Sequence, residues 1–185
     1  MKKSIYLILV LILLLAACGS NAAESGSELV REKYKSLETI KLSADITADF
    51  GDRVGVYSIT YELAQGISII TIEKPVEIAG ITATIKDGSS TLEYDGLILE
   101  TGKLAGTALT PIDAVPTMLA TWAGGYMTDV GTERRKGIRC YRLTYTQTID
   151  NAVVEQQAWF EMETLMPVYA ETLVDGRLVI SCEFS

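Results

Sequence analysis

Three Asp-Gly pairs, Asp87-Gly88, Asp95-Gly96 and Asp175-Gly176, each stand between runs of alternating apolar and polar residues. No other feature constrains the fold of this chain as strongly. A two-residue type I′ turn needs left-handed backbone at both central positions, and Asp and Gly adopt it at least cost, so Asp-Gly between alternations predicts a tight antiparallel hairpin. The alternation itself runs through most of the chain. Leu42, Ala44, Ile46, Ala48 and Phe50 alternate with polar residues, and Gly51-Asp52 turns into Val54–Ala64. Further strands are predicted at Ile67–Glu73, closed by Pro75, and at Gly80–Lys86, Thr91–Tyr94 and Leu97–Thr101. They resume at Thr128–Arg135, Gly137–Thr148, Val153–Met162, Pro167–Val174 and Arg177–Phe184. Turns spaced about 8–12 residues apart describe a mainly β antiparallel meander.

Two helices are expected to cover it. Ser25 and Glu28 have capping-box spacing, and Leu29, Val30, Tyr34 and Leu37 fall near one helical face. The second helix interrupts the strands. Thr110 is a good N-cap, Pro111 suits the first helical position, and Asp113 can reach back to the cap. Ile112, Val115, Met118, Leu119 and Trp122 then form an apolar stripe that ends at Gly124-Gly125. Pro116 is expected to kink its second turn.

The N-terminus has a separate purpose. Lys2 and Lys3 precede an apolar run from Ile5 to Leu15, which closes on Leu15-Ala16-Ala17-Cys18. The run is short of the roughly 20 residues of a transmembrane helix, so it reads as an export signal over residues 1–17. Leu-Ala-Ala-Cys resembles the lipobox of bacterial lipoproteins. The resemblance implies diacylglycerol transfer to Cys18, cleavage before it and further acylation of the new amino terminus. Two or three acyl chains hold a bilayer firmly where one does not. Residues 18–26 then read as a flexible tether and 27–185 as one domain on the extracytoplasmic face of the cell membrane.

Composition narrows the chemistry. There is no histidine, which removes Ser-His-Asp and Cys-His catalysis and His-ligated zinc. A net charge of −8 argues against a nucleic-acid partner. No phosphate-binding glycine loop, Ser-x-x-Lys pair, calcium loop or metal-ligating cluster is present in the sequence, and no cofactor is expected. Asp45 with Asp49, and Glu161 with Glu163, are carboxylate pairs, but their strand positions place them on solvated faces. The run Glu133-Arg134-Arg135-Lys136 reads as a solvated hairpin end. Cys140 and Cys182 lie in separate strands. Export permits a disulfide and burial permits free thiols, with free thiols the simpler reading. The chain is therefore expected to bind rather than catalyse.

Three further stretches carry a family resemblance. Lys86-Asp87-Gly88 with Leu92-Glu93-Tyr94-Asp95, then Ala158-Trp159-Phe160-Glu161 through Met166-Pro167-Val168, and the closing Asp175-Gly176-Arg177-Leu178 resemble motifs of the lipoprotein-sorting (LolA-like) superfamily over residues 28–185. The resemblance implies an incomplete antiparallel β-barrel with helices across its concave side. It also implies an apolar cavity for a lipid or lipidated ligand, lined by Tyr57, Ile59, Tyr61, Leu92, Tyr94, Leu97, Leu99, Val115, Met118, Leu119 and Trp122. A germination lipoprotein of Gram-positive spore formers has the same fold and holds a cell-wall enzyme. That variant implies the alternative role, an anchored protein-interaction module.

Overall fold

Six hairpins turn through only two residues, and both central residues of each have positive φ: Gln65-Gly66, Asp87-Gly88, Asp95-Gly96, Lys136-Gly137, Asp150-Asn151 and Asp175-Gly176. This is the type I′ geometry whose twist matches that of paired strands. The computed structural model describes residues 18–103 and 109–185. Within them β1 (Thr39–Asp49), β2 (Val54–Ala64), β3 (Ile67–Lys74), β4 (Thr82–Lys86), β5 (Ser89–Tyr94) and β6 (Leu97–Lys103) form one meander. A single 3₁₀ turn, Val76–Ile78, joins β3 to β4. The second meander comprises β7 (Met127–Arg135), β8 (Ile138–Ile149), β9 (Ala152–Glu161), β10 (Pro167–Val174) and β11 (Arg177–Phe184).

The two meanders become one sheet because β1 pairs antiparallel with β11, Ile46 opposite Cys182. The order is β6-β5-β4-β3-β2-β1-β11-β10-β9-β8-β7, eleven strands with open edges at β6 and β7. The first and last strands of the chain therefore lie at the centre of the sheet. This is the antiparallel meander expected from the turns, in the incomplete-barrel form that the family resemblance implies.

Helices α1 (Cys18–Lys35) and α2 (Ala114–Gly124) cover the concave face. The 18–26 segment read as a tether is part of this helix, and Ser25 lies inside the helix rather than at its cap. Ala23, Gly26, Ser27, Val30 and Tyr34 form its buried face, while Leu29 points outward. Gly26 has a packing reason for standing in a helix. A Cβ there would lie 2.2 Å from the Tyr141 ring, so only glycine lets α1 approach β8 this closely.

Thr110 and Asp113 bond to each other as expected, but around a turn that precedes the helix, whose N-cap is Asp113, so Pro111 does not take the first helical position. The Asp113 backbone N–H donates to Thr110 Oγ1 at 3.2 Å, and Thr110 N–H donates to Asp113 Oδ1 at 2.8 Å. Regular α-helix starts only at Ala114, after a turn through 111–113. Pro116 thus occupies the first turn, where its missing N–H costs no helical hydrogen bond, and the expected second-turn position is corrected. Trp122 anchors α2. Its ring makes edge-on contacts with Tyr34 of α1 at 5.1 Å, Phe160 of β9 at 4.9 Å and Phe184 of β11 at 5.9 Å.

The convex face carries a smaller cluster. Arg135 stacks over Tyr169 at 3.4 Å and Trp159 at 4.4 Å, the Trp159 indole N–H donates to Glu133, and Lys136 pairs with Glu183 at 2.6 Å. The 133–136 charge run is the solvated hairpin end expected, with Glu133, Arg134 and Lys136 exposed, and it also reaches across β9–β11 through Arg135 and Lys136. Aromatic faces and a carboxylate on the neighbouring strands hold its charges.

Candidate functional site

The eleven residues expected to line a cavity divide into three sets. Ile59, Tyr61, Val115, Met118, Leu119 and Trp122 are buried in one continuous core with Val30, Tyr34, Ile46 and Phe160. Tyr57 and Leu92 are half-buried against that core. Tyr94, Leu97 and Leu99 are exposed, Leu97 to 77%. The lid stripe and the strand faces therefore meet as packed core. α2 contacts β9 and β11 through Trp122, far across the sheet from β6, which leaves the β5–β6 hairpin uncovered.

Concave space lies instead at one end of the half-barrel. A concavity of about 530 Å³ is lined by Asp49, Phe50, Leu109, Val174, Asp175, Arg177 and Val179. Three local features build this mouth. The β1–β2 turn holds Phe50, whose N–H donates to the Arg53 carbonyl at 2.9 Å while the Arg53 guanidinium sits 5.4 Å from its ring. The β10–β11 hairpin holds Val174, Asp175 and Arg177, and the Asp175 carboxylate accepts from Val153 N–H at 2.9 Å. Leu109 comes from the segment leading into α2. The volume falls within the roughly 300–1,000 Å³ of small-molecule sites, and the walls are apolar with a charged rim.

None of the mouth residues was expected to line a cavity: Asp49 was read as a solvated carboxylate and Asp175 as a turn residue. Phe50 ended an alternation and the others flanked turns, and such positions read as ordinary strand ends. Only Phe50, a large apolar side chain directly before Gly51-Asp52, carried a signal.

The carboxylate pairs are tied up by neighbours. Asp45 accepts from the Ser58 hydroxyl at 2.6 Å, Glu161 accepts from the Thr164 hydroxyl at 2.6 Å, and Glu163 lies 3.7 Å from Arg139. Among the described residues no group of three His, Cys, Asp or Glu side chains is placed to hold a metal ion, and no helix is long and apolar enough to cross a membrane. Cys140 and Cys182 are both buried and free. Cys182 belongs to the concave core, whereas Cys140 packs outside it. Burial without a compensating donor pushes the Cys182 thiol up to about 12. Burial likewise raises the Tyr34 and Tyr145 hydroxyls above their ordinary value. The export signal, 1–17, lies outside the described residues, as does the side chain of Cys18.

No protein-family model and no curated protein matches the chain by sequence. Its fold does match solved structures. Lipoprotein LppX of Mycobacterium tuberculosis superposes with a TM-score of 0.51 at 14% identity, over 89% of this chain and 92% of that one. A DUF1329 family protein from Desulfovibrio piger gives 0.50 at 14% identity, over 88% and 91%. A LolA superfamily protein from Nitrosomonas europaea gives 0.44 at 15% identity, over 88% and 91%. These are likenesses of fold.

Proposed function

We propose that the chain is a non-enzymatic, membrane-anchored lipoprotein that binds a lipid or lipidated ligand at the mouth of its half-barrel. The observation that carries this reading is the 530 Å³ concavity walled by Phe50, Leu109, Val174 and Val179. Apolar walls of that size gain free energy by taking hydrocarbon out of water. The fold shared with a mycobacterial lipoprotein supports the placement, and acylation at Cys18 would keep the mouth beside the lipid phase. Native mass spectrometry of the full chain released from membranes tests it. The expected result is a retained ligand mass that Val174→Trp, which fills the mouth, removes. Protein that is empty in every preparation overturns the reading.

A second reading, an anchored module that holds a protein partner, is favoured by the open edge at β6. Leu97, Ile98 and Leu99 are exposed to 77, 70 and 63%, on a strand whose outer backbone groups have no neighbour in the sheet. Such an edge can accept an added strand. Pull-down from native membranes separates the two readings: one stoichiometric protein that Ile98→Lys releases favours the partner, and lipid alone favours the mouth.

A further inference from the structure

One layer inward from the mouth, the concave face changes character. Thr172, Gln156 and Tyr145 stand opposite one another on β10, β9 and β8, a polar row across three adjacent strands. All three are buried, with exposures of 0, 2 and 3%. The Thr172 hydroxyl, both polar atoms of Gln156 and the Tyr145 hydroxyl have no hydrogen-bond partner among the described residues. Buried polar groups are nearly always satisfied, so four unsatisfied atoms in one row require an explanation. Gln156 and Tyr145 line a partly open cavity of about 40 Å³ together with Thr121, Gly125, Tyr126, Thr146, Gln147 and Val154. That space is enough for about three waters or one small polar group.

Charge and position indicate what would fill it. No acidic side chain lines the cavity. Arg31 of α1 donates from Nη2 to the Gly125 carbonyl at the cavity wall, 3.3 Å away, and its buried Nε–H is unpartnered. The Tyr145 hydroxyl and the Gln156 amide line the cavity, with the Thr172 hydroxyl beside Gln156 on the next strand and Arg31 held at the Gly125 wall, a set of donors that suits an electron-rich oxygen. Val154, on the cavity wall, pairs across the sheet with Val174, on the wall of the mouth. Thr172 lies two residues from Val174 along β10, about 7 Å deeper.

We infer that the Thr172–Gln156–Tyr145 row, with Arg31, is a polar subsite for the carbonyl or carboxylate end of an acyl compound whose hydrocarbon part fills the mouth. The inference rests on reading the mouth as a ligand site. Isothermal titration of the full chain with octanoate and with methyl octanoate tests it, because the two probes share the carbonyl and differ in charge. The expected result is saturable one-to-one binding of both, tighter for octanoate. Gln156→Leu and Tyr145→Phe should each weaken it by about tenfold, and Arg31→Met should erase the preference for the acid. Tyr145→Phe removes only a hydroxyl, so it reports on the contact even where Gln156→Leu repacks the cavity. Wild-type affinity in Gln156→Leu and Tyr145→Phe, with binding lost in Val174→Trp, refutes the subsite and retains the mouth. Failure of the wild-type chain to bind either probe saturably also refutes the subsite. The mouth reading then stands or falls separately, on whether native mass spectrometry finds a ligand that Val174→Trp loses.

Discussion

Replacing Trp122 with alanine asks directly whether α2 is a fixed part of the core or a cover that lifts. The side chain is fully buried and meets Tyr34, Phe160 and Phe184 edge-on, so one residue ties α2 to α1, β9 and β11. Truncating a buried tryptophan costs about 3–5 kcal/mol through lost burial and the cavity left behind. Against a typical stability of about 5–15 kcal/mol that is a large share. For a domain of this size it lowers Tm by roughly 6–20 °C, at about 2–4 °C per kcal/mol. Trp122→Phe is the internal control. The indole N–H has no partner among the described residues, so phenylalanine keeps an aromatic ring in the site while deleting an unsatisfied donor, and the cost should stay below about 1.5 kcal/mol. Urea titration of the full chain followed by far-UV circular dichroism measures both, with the midpoint falling and the m-value unchanged. A loss below about 1 kcal/mol for Trp122→Ala, or equal losses for the two variants, would refute the claim that packing around this ring holds α2 down.

Met118→Trp, in the same stripe, should destabilise by about 1–3 kcal/mol through overpacking and leave ligand retention unchanged, read by the same urea titration and by native mass spectrometry. Alkaline pH should weaken the fold. The Cys182 thiol is raised to about 12 when folded, so its contribution is fully present below the unfolded value near 9 and is lost as pH rises towards 12. The loss, roughly 4 kcal/mol at most, should appear as a falling urea midpoint above pH ~9 that is shallower in Cys182→Ala. Cys18→Ser should abolish acyl attachment, because Cys140 and Cys182 are far from the export signal. Mass spectrometry of the N-terminal peptide checks this, and an unmodified wild-type Cys18 would contradict the anchor.

Much of the fold was legible because it rests on local chemistry. Asp87-Gly88, Asp95-Gly96 and Asp175-Gly176 specify their turns through backbone preference alone, and the strand register follows from those turns. The Thr110–Asp113 bonding is equally local. The site was less legible. Periodicity says that one face of Leu97–Thr101 is apolar, but not whether a helix covers it, and among the described residues none does. The same pattern in Ile59, Tyr61 and Val115 predicted a lining and produced core, because a wall and a filled interior use the same residues.

The sequence alone determined the element types, the turns, the acidic histidine-free chemistry and the lipobox-like Cys18, since each depends on neighbours a few residues away. Tertiary structure decided what depends on distant partners. It paired β1 with β11 across some 135 residues and folded Arg135 over Tyr169. It also brought Phe50, Leu109 and Val179 to one mouth and left Gln156 unsatisfied beneath it. Packing between remote segments is set by shape and burial summed over the whole chain, and no short window of residues carries that sum.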